Sequence, residues 1–270
     1  MKSITLVIIA LVLISCKNNQ ENVSTDIAPS PAESITTEVK SDGFYHYSIW
    51  YAFVNRIFEG DITAQTLKTK GDIGLGSYNA LDGELIMLDG VLYQATQDGK
   101  VHVPQDDIKI AYANTTFFDA EHSFNLNAVP NYKTLRDSIN NRLPTRNIFY
   151  AFKIHGNFKK MTCGGLHKQV PPYETGLDVL IPNRPVFERE NFSGTMVGFF
   201  CPDFIGNINV AAYHLHFVSD DKQFAGHVME LEATDLKVEL DYIYEYTFAL
   251  PQTDAYLEGN FEKEFQYDKK

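Results

Sequence analysis

The residues best suited to chemistry are in Tyr213-His214-Leu215-His216-Phe217, with Gly226-His227-Val228 shortly downstream. Side chains two apart on a strand share a face, so His214 and His216 point the same way if this run is extended. A turn at Ser219-Asp220-Asp221-Lys222 lets the chain double back as a hairpin and brings His227 opposite the pair. Three converging imidazoles make a three-ligand zinc site with one coordination position left open, the arrangement that metal catalysis needs. A lone His-x-His pair is more often structural, and it is the third histidine that argues for a metal. His46, His102, His122, His155 and His167 have no comparable spacing and read as structural.

The second pattern is Gly74-Leu75-Gly76-Ser77-Tyr78-Asn79-Ala80-Leu81-Asp82-Gly83-Glu84-Leu85. Read by itself it is a glycine-rich loop entering a strand. Without a Gly-Lys-Ser/Thr element it is not a phosphate loop. Asp82-Gly83 favours a tight turn, and Glu84 then starts a strand facing either solvent, as most single glutamates do, or a cavity.

Several elements must hold these residues in place. Tyr45, Ile49, Trp50, Phe53, Val54 and Ile57 recur at helical spacing, which predicts an amphipathic helix ending near Glu59-Gly60. Asp61 or Thr63 caps a second short helix through Leu67, and Gly71 to Gly76 reads as a loop. Glu84 to Gln94 is a hairpin turning at Asp89-Gly90. Further strands are expected over 147–154, 179–181, 195–200, 210–218, 226–232 and within 237–250. Helices are confined to 44–68, 131–141 and the last fifteen or so residues, so strands dominate.

The 270 residues, 44% hydrophobic and 21% charged, are those of an ordinary globular chain with ample core. A net charge of −12 argues against nucleic acid and against a polybasic grip on anionic lipid. An anionic substrate is compatible with it only where a metal, Arg or Lys makes the pocket locally positive.

Lys2 and the apolar run Ile4 to Ile14 read as an export signal over residues 1–16, too short for the roughly 20 residues of a membrane span. Its end, Leu13-Ile14-Ser15-Cys16, resembles the lipobox of bacterial lipoproteins, with Cys16 as the lipidated residue; a plain secretory signal is the alternative. Residues 17–42 have no aromatic side chain and read as a flexible tether, leaving 43–270 as the folded body. These features predict a lipid-anchored protein of the bacterial cell envelope, periplasmic or outer-membrane associated. Cys163 and Cys201 remain, too few for a disulfide framework.

The Gly74–Leu85 motif, together with Gly194-Thr195-Met196-Val197-Gly198-Phe199 and Val210-Ala211-Ala212-Tyr213-His214-Leu215-His216-Phe217, closely resembles the acetolactate decarboxylase family. Phe44 to Leu67 and Asn147-Ile148-Phe149-Tyr150-Ala151-Phe152 extend the resemblance to most of residues 44–257. It implies an α+β fold, with a mixed or antiparallel sheet and a β-barrel-like half flanking a metal site. It further implies zinc on His214, His216 and His227, Glu84 beside the metal, and Ser77 at a position usually held by threonine.

The implied substrate is a small hydroxy-keto acid, 2-acetolactate, converted to acetoin and carbon dioxide. Zinc would supply Lewis acidity to the substrate oxygens, and Glu84 would donate a proton. An ungapped comparison puts Gly164 where the family carries an arginine for the substrate carboxylate, making Lys168 or Lys153 the expected substitute. Glu258, Glu262 and Glu264 are the candidates for a further glutamate that the family contributes near its C-terminus. The alternatives are a zinc lyase or isomerase acting on a related hydroxy-keto acid, and a metal- or ligand-binding lipoprotein without catalysis.

Overall fold

The structure is a computed structural model in which residues 43–262 are described. The expected leader, Cys16, tether and Glu264 lie outside them. In chain order the elements are β1 (Gly43–Tyr47), α1 (Trp50–Val54), α2 (Ala64–Lys68), β2 (Ile73–Tyr78), β3 (Glu84–Leu88), β4 (Val91–Ala95), β5 (Val101–His102) and β6 (Ile110–Thr116). They continue with β7 (His122–Val129), α3 (Tyr132–Asn140), β8 (Phe149–Gly164), α4 (Leu177–Leu180), β9 (Val186–Cys201), β10 (Ala212–Ser219), β11 (Ala225–Ile243), β12 (Glu245–Ala249) and α5 (Asp254–Leu257).

Two sheets carry the molecule. The first has seven strands in the order β12-β1-β6-β2-β3-β4-β5, antiparallel except for the parallel β1–β12 pair. The second runs β10-β9-β8-β11-β7, and β10 also pairs with β11. That extra pairing closes β10, β9, β8 and β11 on themselves, so this sheet is the barrel-like half and the fold is the expected α+β type.

Side-chain parity shows how the halves meet. On β9, Met196 and Phe200 fill the interior of the closed sheet, while Val197, Phe199 and Cys201 face outward. On β3, Ile86 and Leu88 join that outward cluster, and Leu85 and Met87 lie on the opposite face. The seam between the sheets is therefore an apolar layer in which alternate residues of each strand participate. Its aromatic members include Phe44, whose ring lies 4.5 Å from that of Phe199.

Local signals account for several boundaries. The Thr63 hydroxyl accepts from the Thr66 amide at 3.1 Å and caps α2, and the Asn131 side chain accepts from the Thr134 amide at 2.7 Å and caps α3. Asp89 and Gly90 have φ of +51° and +77°, matching a two-residue hairpin turn between β3 and β4.

Three expectations are corrected. The helix expected from Tyr45 to Ile57 is instead a strand over Gly43–Tyr47 and a short helix over Trp50–Val54. Its first residues pair with β6 and with β12, and these long-range ladders override a helical period. Gly71 to Gly76 is not a loop, since β2 begins at Ile73 and is buried throughout. A Cβ at Gly76 would lie 2.0 Å from the Tyr112 carbonyl oxygen, so glycine here serves close strand approach. Residues 179–181 do not form a strand: Leu177–Leu180 is a short helix that buries Leu177 and Leu180 and exposes Val179. β6 and β7 were not foreseen.

Gly198 on β9 is another close approach, because a Cβ there would lie 2.0 Å from the carbonyl oxygen of His214 on β10. Gly198→Ala is expected to destabilise the fold by about 1–3 kcal/mol, as overpacking typically does. At about 2–4 °C per kcal/mol this is a fall of about 2–12 °C in thermal midpoint. An unchanged melting curve would contradict the packing described.

Candidate metal centre and active site

The hairpin of β10 and β11 pairs His216 directly with His227. Leu215 and Phe217 enter the barrel interior and Val218 joins the seam, so His214 and His216 point out toward the first sheet. The turn between the strands closes through the Ser219 amide donating to the Phe224 carbonyl at 2.8 Å, with Lys222 at φ +58°. One nitrogen from each of His214, His216 and His227 can be chosen such that all lie within 4.8 Å of one another.

β3 faces this cluster across the seam. Glu84 has the parity of Ile86 and Leu88 and is directed to the same side, with Ser77 of β2 directly opposite it in register. Glu84 Oε2 lies 3.5 Å from His216 Nε2, too long for a good hydrogen bond. The same strand orients this candidate ligand: His216 Nδ1 lies 2.8 Å from the Leu85 carbonyl, which can only accept, so Nδ1 carries the proton and Nε2 keeps its lone pair. Ser77 is buried, and its hydroxyl donates to the Tyr78 carbonyl at 3.3 Å.

The electrostatics suit a cation. Burial pushes the His216 imidazole down to about 4, the bond to Leu85 opposing and the Arg184 charge adding. Burial also holds His214 and His227 well below the ordinary histidine value, with neighbouring imidazoles and Arg184 adding to the effect. All three are thus neutral near pH 7, the form that binds a metal. His214 Nδ1 and His216 Nε2 are buried without a hydrogen-bond partner. A buried polar atom left unpaired is costly, and a cation bound between the rings would satisfy such lone pairs. These residues fit a metal ion. Glu84 shifts the other way, raised to about 7 by burial, with Arg184 opposing.

Residues 44–263 match the sequence profile described as alpha-acetolactate decarboxylase. The chain belongs to this family. It is 34% identical over 228 residues to the alpha-acetolactate decarboxylase of Methanosarcina mazei, covering 84% of this chain and 79% of that one. The Brevibacillus brevis alpha-acetolactate decarboxylase is 35% identical over 212 residues, 78% of this chain and 74% of the relative. The crystal structure of alpha-acetolactate decarboxylase from Bacillus subtilis strain 168 superposes with a TM-score of 0.79 at 30% identity, covering 82% of this chain and 94% of that one.

Within this acetolactate decarboxylase fold, the two lysines expected to meet a substrate carboxylate are engaged elsewhere. Lys168 Nζ is paired with Asp82 at 2.7 Å, and Lys153 with Asp89 of the β3–β4 turn. The cation whose charge reaches Glu84 and all three histidines is Arg184, which the sequence reading overlooked. The signal for it was the pairing of β8 with β9, which joins Gly164 to Val186 and so brings the residues just before β9 to the end of β8. Of the C-terminal candidates, Glu258 and Glu262 are exposed. Glu262 lines a surface cleft with Asn55, Arg56 and Asn260, none of them a residue of the histidine cluster.

Of the histidines read as structural, His46 is fully buried, with its Nδ1 2.7 Å from the Tyr246 hydroxyl. Cys163 and Cys201 are free, buried thiols.

Proposed function

We propose that this protein is a zinc-dependent 2-acetolactate decarboxylase, a carboxy-lyase releasing acetoin and carbon dioxide, held at the bacterial cell envelope by a lipid on Cys16. The observation that carries the catalytic reading is the cluster of neutral His214, His216 and His227, with buried, unpartnered ring nitrogens on His214 and His216, facing a buried Glu84 in a chain of this family. Zinc suits three imidazole ligands and, when bound, supplies Lewis acidity toward the hydroxyl and ketone oxygens of the substrate.

The chain's own residues supply the rest. Breaking the bond to the carboxylate leaves an electron pair that delocalises into the neighbouring ketone. The carbon that lost the carboxylate must then gain a proton to become the carbinol carbon of acetoin. Glu84, raised to about 7, holds a proton at its carboxyl oxygen close to neutral pH and can deliver it to one face. Solvent reprotonates it for the next turnover. Ser77, opposite Glu84, lines the same face of the first sheet. The surrounding apolar seam limits water, which strengthens every charge interaction in the site.

The test of the reaction is incubation of residues 17–270, metal-loaded, with racemic 2-acetolactate. Acetoin and one carbon dioxide per substrate consumed are expected, and failure to form acetoin would refute the reading.

The lipid anchor rests on Leu13-Ile14-Ser15-Cys16 at the end of an apolar run. No helix among the described residues is long and apolar enough to cross a membrane. Full-length protein is expected in the membrane fraction carrying a lipid. Cys16→Ser is expected to remain unprocessed and unlipidated, detected by mass spectrometry. Normal maturation and membrane retention of Cys16→Ser would remove the anchor.

A further inference from the structure

The stem of Arg184 lies beside the end of β8. That strand ends at Cys163-Gly164, and Gly164 is in register with His227 on one side and with Val186 on the other. A Cβ at position 164 would lie 2.8 Å from Arg184 Cδ and 2.7 Å from Met229 Sδ. The aliphatic stem of Arg184 therefore lies across the backbone of Gly164, in space that any other residue would fill. One residue on, a Cβ at Gly165 would be 3.9 Å from Glu84 Cγ, so this glycine pair runs from the Arg184 stem to the proton donor. The Gly165 amide donates to the Pro185 carbonyl at 3.2 Å, which ties the segment carrying Arg184 to the end of β8.

The arginine is held as well as admitted. Its Nε donates to the Ile181 carbonyl at 3.0 Å, just beyond α4, and this bond fixes the plane of the guanidinium. The side chain is half-buried, and its charge acts on Glu84, His214, His216 and His227 together. A chain with a formal charge of −12 needs such a local cation to admit an anionic substrate. A planar fork of donors matches a carboxylate better than the point charge of a lysine does.

We infer that Arg184 binds the carboxylate of the substrate, and that position 164 is glycine because the stem of Arg184 must pass over it. The guanidinium is thus delivered from the segment before β9 rather than from β8, and Gly164 and Arg184 form one functional unit. Because the carboxylate leaves as neutral carbon dioxide, this contact is stronger in the ground state than after bond cleavage. Loss of Arg184 should therefore raise KM more than it lowers kcat.

This inference rests on the decarboxylase reading, but its test does not require turnover. The probe is 2-hydroxy-2-methylpropanoate, which keeps a carboxylate and a tertiary hydroxyl but has no ketone to accept electrons, compared with its neutral amide. Binding of each to the metal-loaded protein is measured by calorimetry. The native protein should prefer the acid. Arg184→Met, which keeps an unbranched stem over Gly164, should weaken acid binding by about 10–100-fold, as expected for loss of a charge-assisted pair, with amide binding within about threefold. Arg184→Gln provides the same comparison if the methionine variant does not fold. Gly164→Ala should weaken acid binding in the same direction while retaining the guanidinium.

Native protein that binds acid and amide alike, or a folded Arg184 variant that binds the acid as tightly as native, would overturn the assignment. Acetoin formation by native protein is decided separately, so failure of the decarboxylase reading and failure of Arg184 remain distinguishable.

Discussion

Glu84→Gln is expected to fold, keep its metal and lose about 10²–10⁴-fold in acetoin formation, the usual contribution of a positioned general acid. An amide has the shape of the carboxyl group but no acidic proton to transfer. The position on β3 is buried and 3.5 Å from His216 Nε2, so the same substitution on an exposed glutamate, with little effect, is not the relevant comparison.

The pH dependence should carry the same signature. Burial raises Glu84 to about 7, so its carboxyl is protonated below that value and ionises above it. A group acting as proton donor loses its active form as pH rises, and the rate should fall on the alkaline side. The opposing charge of Arg184 is already contained in that value, and a bound cation would favour the carboxylate further, which places the inflection at or below about 7. Glu84→Gln should lack this inflection in whatever activity remains. Turnover within a few-fold of native, with the inflection intact, would exclude Glu84 from the chemistry.

His216→Ala is expected to abolish stoichiometric metal binding. Metal analysis of native protein should show about one zinc per chain, against nearly none in the variant, and acetoin formation should vanish with it. Of the three histidines, His216 is the most buried and the one whose tautomer is set by a backbone carbonyl, that of Leu85.

Metal removal by a chelator should lower the thermal midpoint of native protein. Free metal a thousandfold above Kd stabilises the fold by about 4 kcal/mol, which corresponds to about 8–16 °C for a chain of this size. In His216→Ala the chelator should shift the midpoint hardly at all. Equal metal content in native and variant protein would eliminate the triad.

Much of the metal half was legible because its signals are contiguous. His214 and His216 share a face by strand parity. The polar Ser219–Lys222 segment marks the turn, and the return strand is short enough to bring His227 into register with His216. The caps at Thr63 and Asn131 and the Asp89-Gly90 turn are likewise properties of a few adjacent residues. The glycines of Gly74-Leu75-Gly76 misled for an instructive reason. Glycine permits a loop, but it also permits two backbones to approach, and only the neighbour across the ladder, Tyr112, tells the two apart. The helix expected through Tyr45 failed in the same way, since the apolar spacing of that stretch gives no sign of its pairing with β12 some two hundred residues later.

The sequence by itself determined the candidate ligand types, their parity and the two motifs whose combination resembles a family of known chemistry. The tertiary structure decided the surroundings of those residues. The packing of β3 against the closed sheet buries Glu84, and burial is what lifts its proton affinity toward neutrality. The pairing of β8 with β9 brings Arg184 over Gly164, twenty positions away in the chain, while Lys153 and Lys168 are drawn off to Asp89 and Asp82. Periodicity and turn chemistry act between neighbours in the chain and can be read along it. Desolvation and charge act between neighbours in space, and these exist only once strand register has been set by pairings across the whole molecule.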